Sequence, residues 1–408
     1  MSRQPTSHKI AIRALPKGIW VLGFGSMFMD MSSELIHSLL PVFMVTVLGA
    51  SMVTIGIIEG IAEAAAAITR VFSGTISDYL HRRKTLVILG YGLAALSKPV
   101  FPLATSSWWV FGARFMDRIG KGIRGAPRDA LVADITPPGL RGAAYGLRQA
   151  LDTVGAFLGP LIALVAMTWL ASDIESTMWL AVLPALVAVL LLAVGIREPV
   201  LPLHDRERGN RPKLIDGRRL PRRFWLLVLL GALFTLARFS EAFLILRATD
   251  VGLPVSYAPA VMVIMSLVYA LFAYPAGAAA DRLPPRRLLV FGLSVLIVAD
   301  ILLAMATSPS IAFAGAALWG LHMALTQGLL SKLIADNAPN DLRGTAFGIF
   351  NMVSGIALLL ASVTAGTIWS LAGAPATFMA GAVFALLAAF GLLLFGPKSE
   401  KPRRARQG

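Results

Sequence analysis

The sequence predicts an all-α polytopic membrane protein of twelve transmembrane helices, built as two six-helix repeats. Three observations carry that prediction. Apolar runs of about twenty residues recur along the chain, each long enough to cross about 30 Å of hydrocarbon. The connections between the runs alternate between basic and nearly cation-free. Two motifs of the first half also return in the second at almost one offset. GTISDYLHRRK (Gly74–Lys84) returns as GAAADRLPPRR (Gly277–Arg287), 203 positions on. ADITPPGLRGAAYG (Ala133–Gly146) returns as ADNAPNDLRGTAFG (Ala335–Gly348), 202 positions on.

Composition agrees. Of 408 residues, 57% are hydrophobic and 14% charged, where a soluble domain carries about 25% charged. The mean hydropathy is +0.74. The apolar runs place the spans at 19–44, 52–76, 85–105, 107–134, 143–169, 176–196, 223–246, 257–280, 288–307, 309–335, 343–370 and 375–396. The start, MSRQPTSHKIAIRALPKG, is polar and basic, and no small-residue cleavage site follows the first apolar run. The first run is therefore expected to be a true span rather than a signal peptide. With no cysteine in the chain, disulfides and thiolate metal sites are excluded.

The net charge of +15 sits mostly in loops and tails, which points to membrane orientation rather than nucleic acid. LGAS, ATSS, ASDIEST, TSPS and AGAP are nearly free of cations. HRRK after span 2, LRG after span 4, PPRR after span 8 and LRG after span 10 are basic, as are the middle loop Arg197–Arg223 and the tail KSEKPRRARQG. The positive-inside bias places both termini and the middle loop in the cytoplasm. The expected organisation is a six-helix half over 1–196, a basic loop over 197–222, a second half over 223–396 and a basic tail over 397–408. Six spans duplicated with unchanged orientation form a transporter architecture.

The charges inside the spans are the remaining signal. Span 4 carries Arg114, Arg118, Lys121, Arg124 and Arg128, four, three, three and four residues apart, a spacing that keeps them within an arc of about 120° on one helix face. At about 2.5–3.5 kcal/mol for each charge at the bilayer centre, such a stripe cannot face lipid. It must face protein or water. Arg128 lies about 30 Å along the helix from Trp108 and Trp109, an expected interface belt. Arg128 and Arg124 are thus expected to reach the cytoplasmic interface, whereas Arg114, Arg118 and Lys121 are not. Counter-charges stand at matching depth. Span 1 has Asp30, Glu34 and His37 on one face, and span 2 has Glu59 and Glu63. Span 5 adds Arg148 and Asp152, span 7 Arg238 and Glu241, and span 10 His322 and Gln327. His37 and His322 read as packed polar residues.

A fixed lattice of ion pairs is a poor source of stability. Part of the set is therefore expected to line a central cavity. Asp30, Glu34, Glu59 and Glu63 are the candidates for taking and releasing a proton. Arg114, Asp117, Arg118, Lys121, Arg148, Asp152, Arg238, Glu241 and Gln327 are the candidate cavity or substrate contacts.

These residues resemble the major facilitator superfamily, and the resemblance covers essentially the whole chain. Its loop signature after span 2, G-x-x-x-D-x-x-G-R-[RK], stands here as Gly74, Asp78, His81 in the second glycine's place, Arg82 and Arg83. A weaker copy keeps Gly277, Asp281, Arg286 and Arg287. The resemblance implies a cytoplasmic clasp that pairs this loop with Asp134, with Arg141 and Arg343 of the two LRG turns in the same set. Gly155, Gly159 and Pro160 in span 5 resemble the antiporter signature G-x-x-x-G-P-x-x-G-G, although Ala163 and Leu164 replace its last glycines. Span 4 keeps Arg114, Gly120 and Gly122 of the pattern R-x-x-Q-G-x-G-x-G, while Asp117 and Arg118 depart from it. That departure resembles a little-characterised prokaryotic subgroup with charged spans 1, 2 and 4.

The expected function is secondary transport in a prokaryotic inner membrane by alternating access, and not an enzymatic reaction. The leading reading is proton-coupled export of a small organic compound by a monomer in the lipid bilayer. No cofactor and no resident metal are expected, and no G-x-x-x-x-G-K-[ST] motif is present to bind ATP. The rivals are proton-coupled import of an organic anion, export of a divalent metal through the carboxylates and His37, and a transporter-like receptor or lipid-moving protein.

Overall fold

The computed structural model describes residues 14–80, 82–197, 220–339 and 342–395. Every regular element among them is helical. Spans 1, 2, 4 and 5 are single helices, Lys17–Thr46, Met52–Leu80, Ser107–Ile135 and Arg141–Trp169. Spans 8, 9 and 10 are Ala260–Arg282, Pro285–Ala304 and Pro309–Asn337. Gly49 (φ 64°) turns the chain between spans 1 and 2 in the left-handed region that glycine tolerates. Spans 11 and 12 run together over Arg343–Phe395, and Gly373 (φ 85°) separates the two helices two residues before Pro375.

Three spans are interrupted. Span 3, Arg83–Ser97, tightens into a 3-10 turn at Lys98–Val100, where Pro99 removes a backbone donor. Span 6 divides into Ile174–Trp179 and Val182–Gly195. Span 7 was expected to be continuous over 223–246. It consists instead of Arg222–Leu236 and Ala242–Asp250, with non-helical backbone between them. Side chains take up part of the freed backbone: Ser240 N donates to Ser362 Oγ (3.2 Å) and Ala242 N to Ser240 Oγ (3.3 Å). Among the described residues, seven helices are long and apolar enough to cross a membrane, the last of them holding spans 11 and 12. Spans 1, 3, 4 and 7 are not among them; spans 1 and 4 carry charge, and spans 3 and 7 are broken, whereas span 6 keeps helical φ/ψ at Leu180 and Ala181 and counts as one helix over Ile174–Gly195.

Within lipid, helices associate by close packing of small residues. Span 5 lies against span 1 so tightly that a Cβ on Gly155 or Gly159 would stand 2.3 Å from Met27 O or 2.4 Å from Met31 O. The first six spans pack among themselves, as do the last six. Span 2 on span 11 and span 5 on span 8 join the two groups. At the first of these joints Gly56 meets Ser362 O and Gly366 meets Met52 O. The outside is studded with apolar side chains such as Leu183, Leu190, Val194, Leu386 and Phe390, the surface that hydrocarbon would wet.

Candidate functional site

A cavity of about 720 Å³ opens between the two groups of six spans. Its two walls differ in chemistry. Spans 1, 2, 4 and 5 contribute Asp30, Glu34, His37, Glu59, Glu63, Arg118, Lys121, Arg124, Arg128 and Asp152. Spans 7, 8, 10 and 11 contribute Phe234, Phe239, Met262, Met265, Tyr269, Met323, Leu330 and Phe350, with Arg238, Ser240, Glu241 and Gln327 as polar groups among them. On spans 4, 5, 10 and 11 the lining runs from mid-helix toward the end of the bundle that bears the basic loops.

The stripe of span 4 meets the acids of spans 1 and 2 in register. Arg114 Nη2 donates to Glu59 Oε2 at 2.8 Å, and Arg118 Nε lies 3.2 Å from Glu63 Oε1. Arg124 lies 3.6 Å from Asp30 and covers the Tyr91 ring at 4.5 Å from its centroid. Arg128 donates to Ser26 Oγ at 2.5 Å and stands 3.9 Å from Asp152. Arg148 donates to Asp152 Oδ2 at 2.7 Å. Helical spacing explains the order: cations about one turn apart on span 4 face acids one turn apart on its neighbours.

Several expectations need correction. Arg124 and Arg128, expected at the cytoplasmic interface, turn inward and line the cavity, where acids, a ring and a hydroxyl offer them partners. Arg114, Asp117 and Arg148 are buried behind the wall rather than lining it. Asp117 points to Lys98, whose Nζ donates to Asp117 Oδ1 (2.7 Å) and Ser33 Oγ (2.9 Å). Lys98 was not anticipated as a partner, though a lone lysine beside a proline in an apolar run was a readable signal. His37 is no bystander, since Nδ1 lies 3.3 Å from Glu34 and Nε2 3.5 Å from Glu59. His322 does pack away from the cavity, against Gly292 O (2.8 Å) and the Phe234 ring.

Glu59 holds the network together. Its Oε2 takes Arg114, His37 and, from the broken part of span 7, Ser240 Oγ at 3.3 Å. Its other oxygen, Oε1, is buried with no hydrogen-bond partner. Nothing in the sequence marked Ser240.

At the basic end Arg83 pairs with Asp134, and Arg70 of span 2 donates to Asp129 of span 4 at 3.0 Å. A Cβ on Gly74 would approach Ala126 at 3.3 Å, and Arg82 and Arg141 are exposed. The side chains of Asp78, Asp281 and Arg343, together with His81, residues 198–219 and the tail 396–408, lie outside the described residues. Among those described, no three histidine or carboxylate side chains converge to hold a metal ion.

Helices that must cross a membrane, arranged as two groups of six around a charged central cavity, define a membrane transporter. The sequence profile of the Major Facilitator Superfamily matches residues 22–261 and again 227–408. An uncharacterized MFS-type transporter of Methanocaldococcus jannaschii is 32% identical over 390 residues, 94% of this chain and 95% of that one. The multidrug resistance protein MdtH of Photorhabdus laumondii is 27% identical over 163 residues, 40% of this chain and 39% of that one. Among solved structures, a D-xylose–proton symporter superposes with a TM-score of 0.74 at 17% identity, over 96% of this chain and 98% of that one. The chain belongs to the Major Facilitator Superfamily.

Proposed function

We propose that this transporter is proton-coupled and exports a small organic compound by alternating access, the halves 1–196 and 223–396 rocking about the central cavity. It acts as a monomer in a prokaryotic cytoplasmic membrane, with both termini and the loop 197–222 in the cytoplasm. The observation that carries the reading is the set of carboxylates Asp30, Glu34, Glu59 and Glu63 at the seam between the halves. Each lies in the cavity wall, and Glu59 touches both halves in one conformation. A carboxylate whose partners change as the halves move is a group whose protonation and conformation are linked. Export is supported by Gly155, Gly159 and Pro160, which stand as in the antiporter signature, and by the similarity to MdtH, a multidrug resistance protein.

Proteoliposomes with an entrapped pH dye test the reading. Adding a transported compound outside should make the lumen more alkaline under antiport and more acidic under symport. A compound that enters with no lumen pH change in either direction would sink proton coupling. Glu59→Gln should abolish the pH response.

A further inference from the structure

We infer that the cavity binds an organic anion with an apolar body, its acidic group held between Lys121 of span 4 and Arg238 of span 7. The inference deepens the transport reading by naming a substrate class, and it holds for either direction of movement. It starts from the pairing on the charged wall. Asp30 is matched by Arg124, Glu34 by His37, Glu59 by Arg114, Glu63 by Arg118 and Asp152 by Arg148. Among the described residues Lys121 and Arg238 line the cavity yet make no ion pair and no side-chain hydrogen bond, and neither is buried. Glu241 is the acid left over on the lining. Although three positions from Arg238, it does not pair with it, because span 7 is unwound between them.

With His37 protonated as the partner of Glu34, two spare cations against one spare acid leave a site that an anion completes better than a cation does. The cations come from different halves, so one carboxylate or similar acid reaching both would join the halves through two charge-assisted hydrogen bonds. The wall beside Arg238 supplies the other requirement. Phe234, Phe239, Met262, Met265, Tyr269 and Phe350 line it, giving a ring or short chain apolar surface to displace water from. An inorganic anion would leave that surface wet. An organic cation would have Glu241 as its single unmatched acid, beside Arg238.

The probes are 1-naphthoate, 1-naphthamide and 1-naphthylmethylamine, which share one aromatic body and differ in charge. Binding to the purified full-length protein in detergent is read by calorimetry and by thermal unfolding. Naphthoate should bind, and Lys121→Gln and Arg238→Gln should each weaken it about tenfold or more, while Lys121→Arg restores most of the affinity. Unliganded unfolding temperatures of the variants, close to that of the parent, separate a lost contact from a lost fold. Absence of naphthoate binding overturns the inference, as does equal binding of the amide or amine, or affinity unchanged in both glutamine variants. Thermal stabilisation by sulfate, with naphthoate inert, also overturns it in favour of an inorganic ion. Flux is measured separately in proteoliposomes. Charge-dependent naphthoate binding without flux of any compound tells against transport and leaves the site standing; flux of amines without naphthoate binding does the reverse.

Discussion

Glu59 and Ser240, 181 positions apart in the chain, meet at 3.3 Å across the seam between the two six-helix halves. The same carboxylate oxygen takes Arg114, which is only 1% exposed. One acid thus neutralises a buried cation in its own half and touches the unwound segment of the other. A change in its charge or in the position of span 7 must be felt by both.

Glu59→Gln should therefore be costly, because it leaves the Arg114 charge buried without its main partner. A loss of about 3–5 kcal/mol is expected, read as a lower unfolding temperature in detergent. Ser240→Ala removes a single neutral donor and should cost about 0.5–1.5 kcal/mol. A Ser240→Ala protein as impaired in unfolding as Glu59→Gln would show that the hydroxyl, not the ion pair, holds this region.

Lys98 and Asp117 make a buried pair behind the cavity wall, 1% and 2% exposed. Asp117→Leu alone strands Lys98 and should cost about 3–5 kcal/mol, Lys98→Met should cost less because Asp117 keeps Arg118 Nε at 3.6 Å, and the double variant should recover much of the Asp117→Leu loss. Transport by the double variant should stay near the parental rate, since neither side chain lines the cavity. A stable double variant with no flux would move Asp117 into the transport path.

The joint of spans 1 and 5 depends on missing side chains. Gly159→Ala drives a Cβ to 2.4 Å from Met31 O, and the helices must separate, at about 1–3 kcal/mol. Gly142→Ala, in the same helix but with open space around it, should be neutral or slightly stabilising. Equal unfolding temperatures for the two variants would show that the contact is slack.

Outside the spans, Asp173 caps the helix Ile174–Trp179 by accepting from Ser176 N at 3.1 Å. Hydrogen bonding from the Ser176 side chain, and then from its backbone N–H, holds that carboxyl below the ordinary 3.8. The folded value is depressed, so the cap's contribution is present above pH 3.8 and is lost as the pH falls through the lower folded value. Asp173→Asn, which keeps an acceptor but cannot titrate, should flatten this part of the acid limb in a pH series of unfolding temperatures.

Much was legible in the residues alone. Twelve runs, the repeats of Gly74–Lys84 and Ala133–Gly146, and the basic loops needed no coordinates, because hydrocarbon thickness and duplication write themselves along a chain. The inward turn of the span 4 stripe was legible for the same reason, since lipid rejects five cations on one face. The partners were not. Asp117 lies one position from Arg118, yet 100° of helix rotation sends it to Lys98 while Arg118 reaches Glu63, and only the packed rotation of span 4 decides which. Arg124 and Arg128 lie within reach of an interface by length alone; Asp30, Tyr91 and Ser26 keep them inside. The break in span 7 has no proline or glycine between Thr235 and Leu246 to announce it. Its freed backbone is stabilised by Ser362 of a distant span, and an unwound segment held by partners more than a hundred positions away leaves no local mark in a sequence.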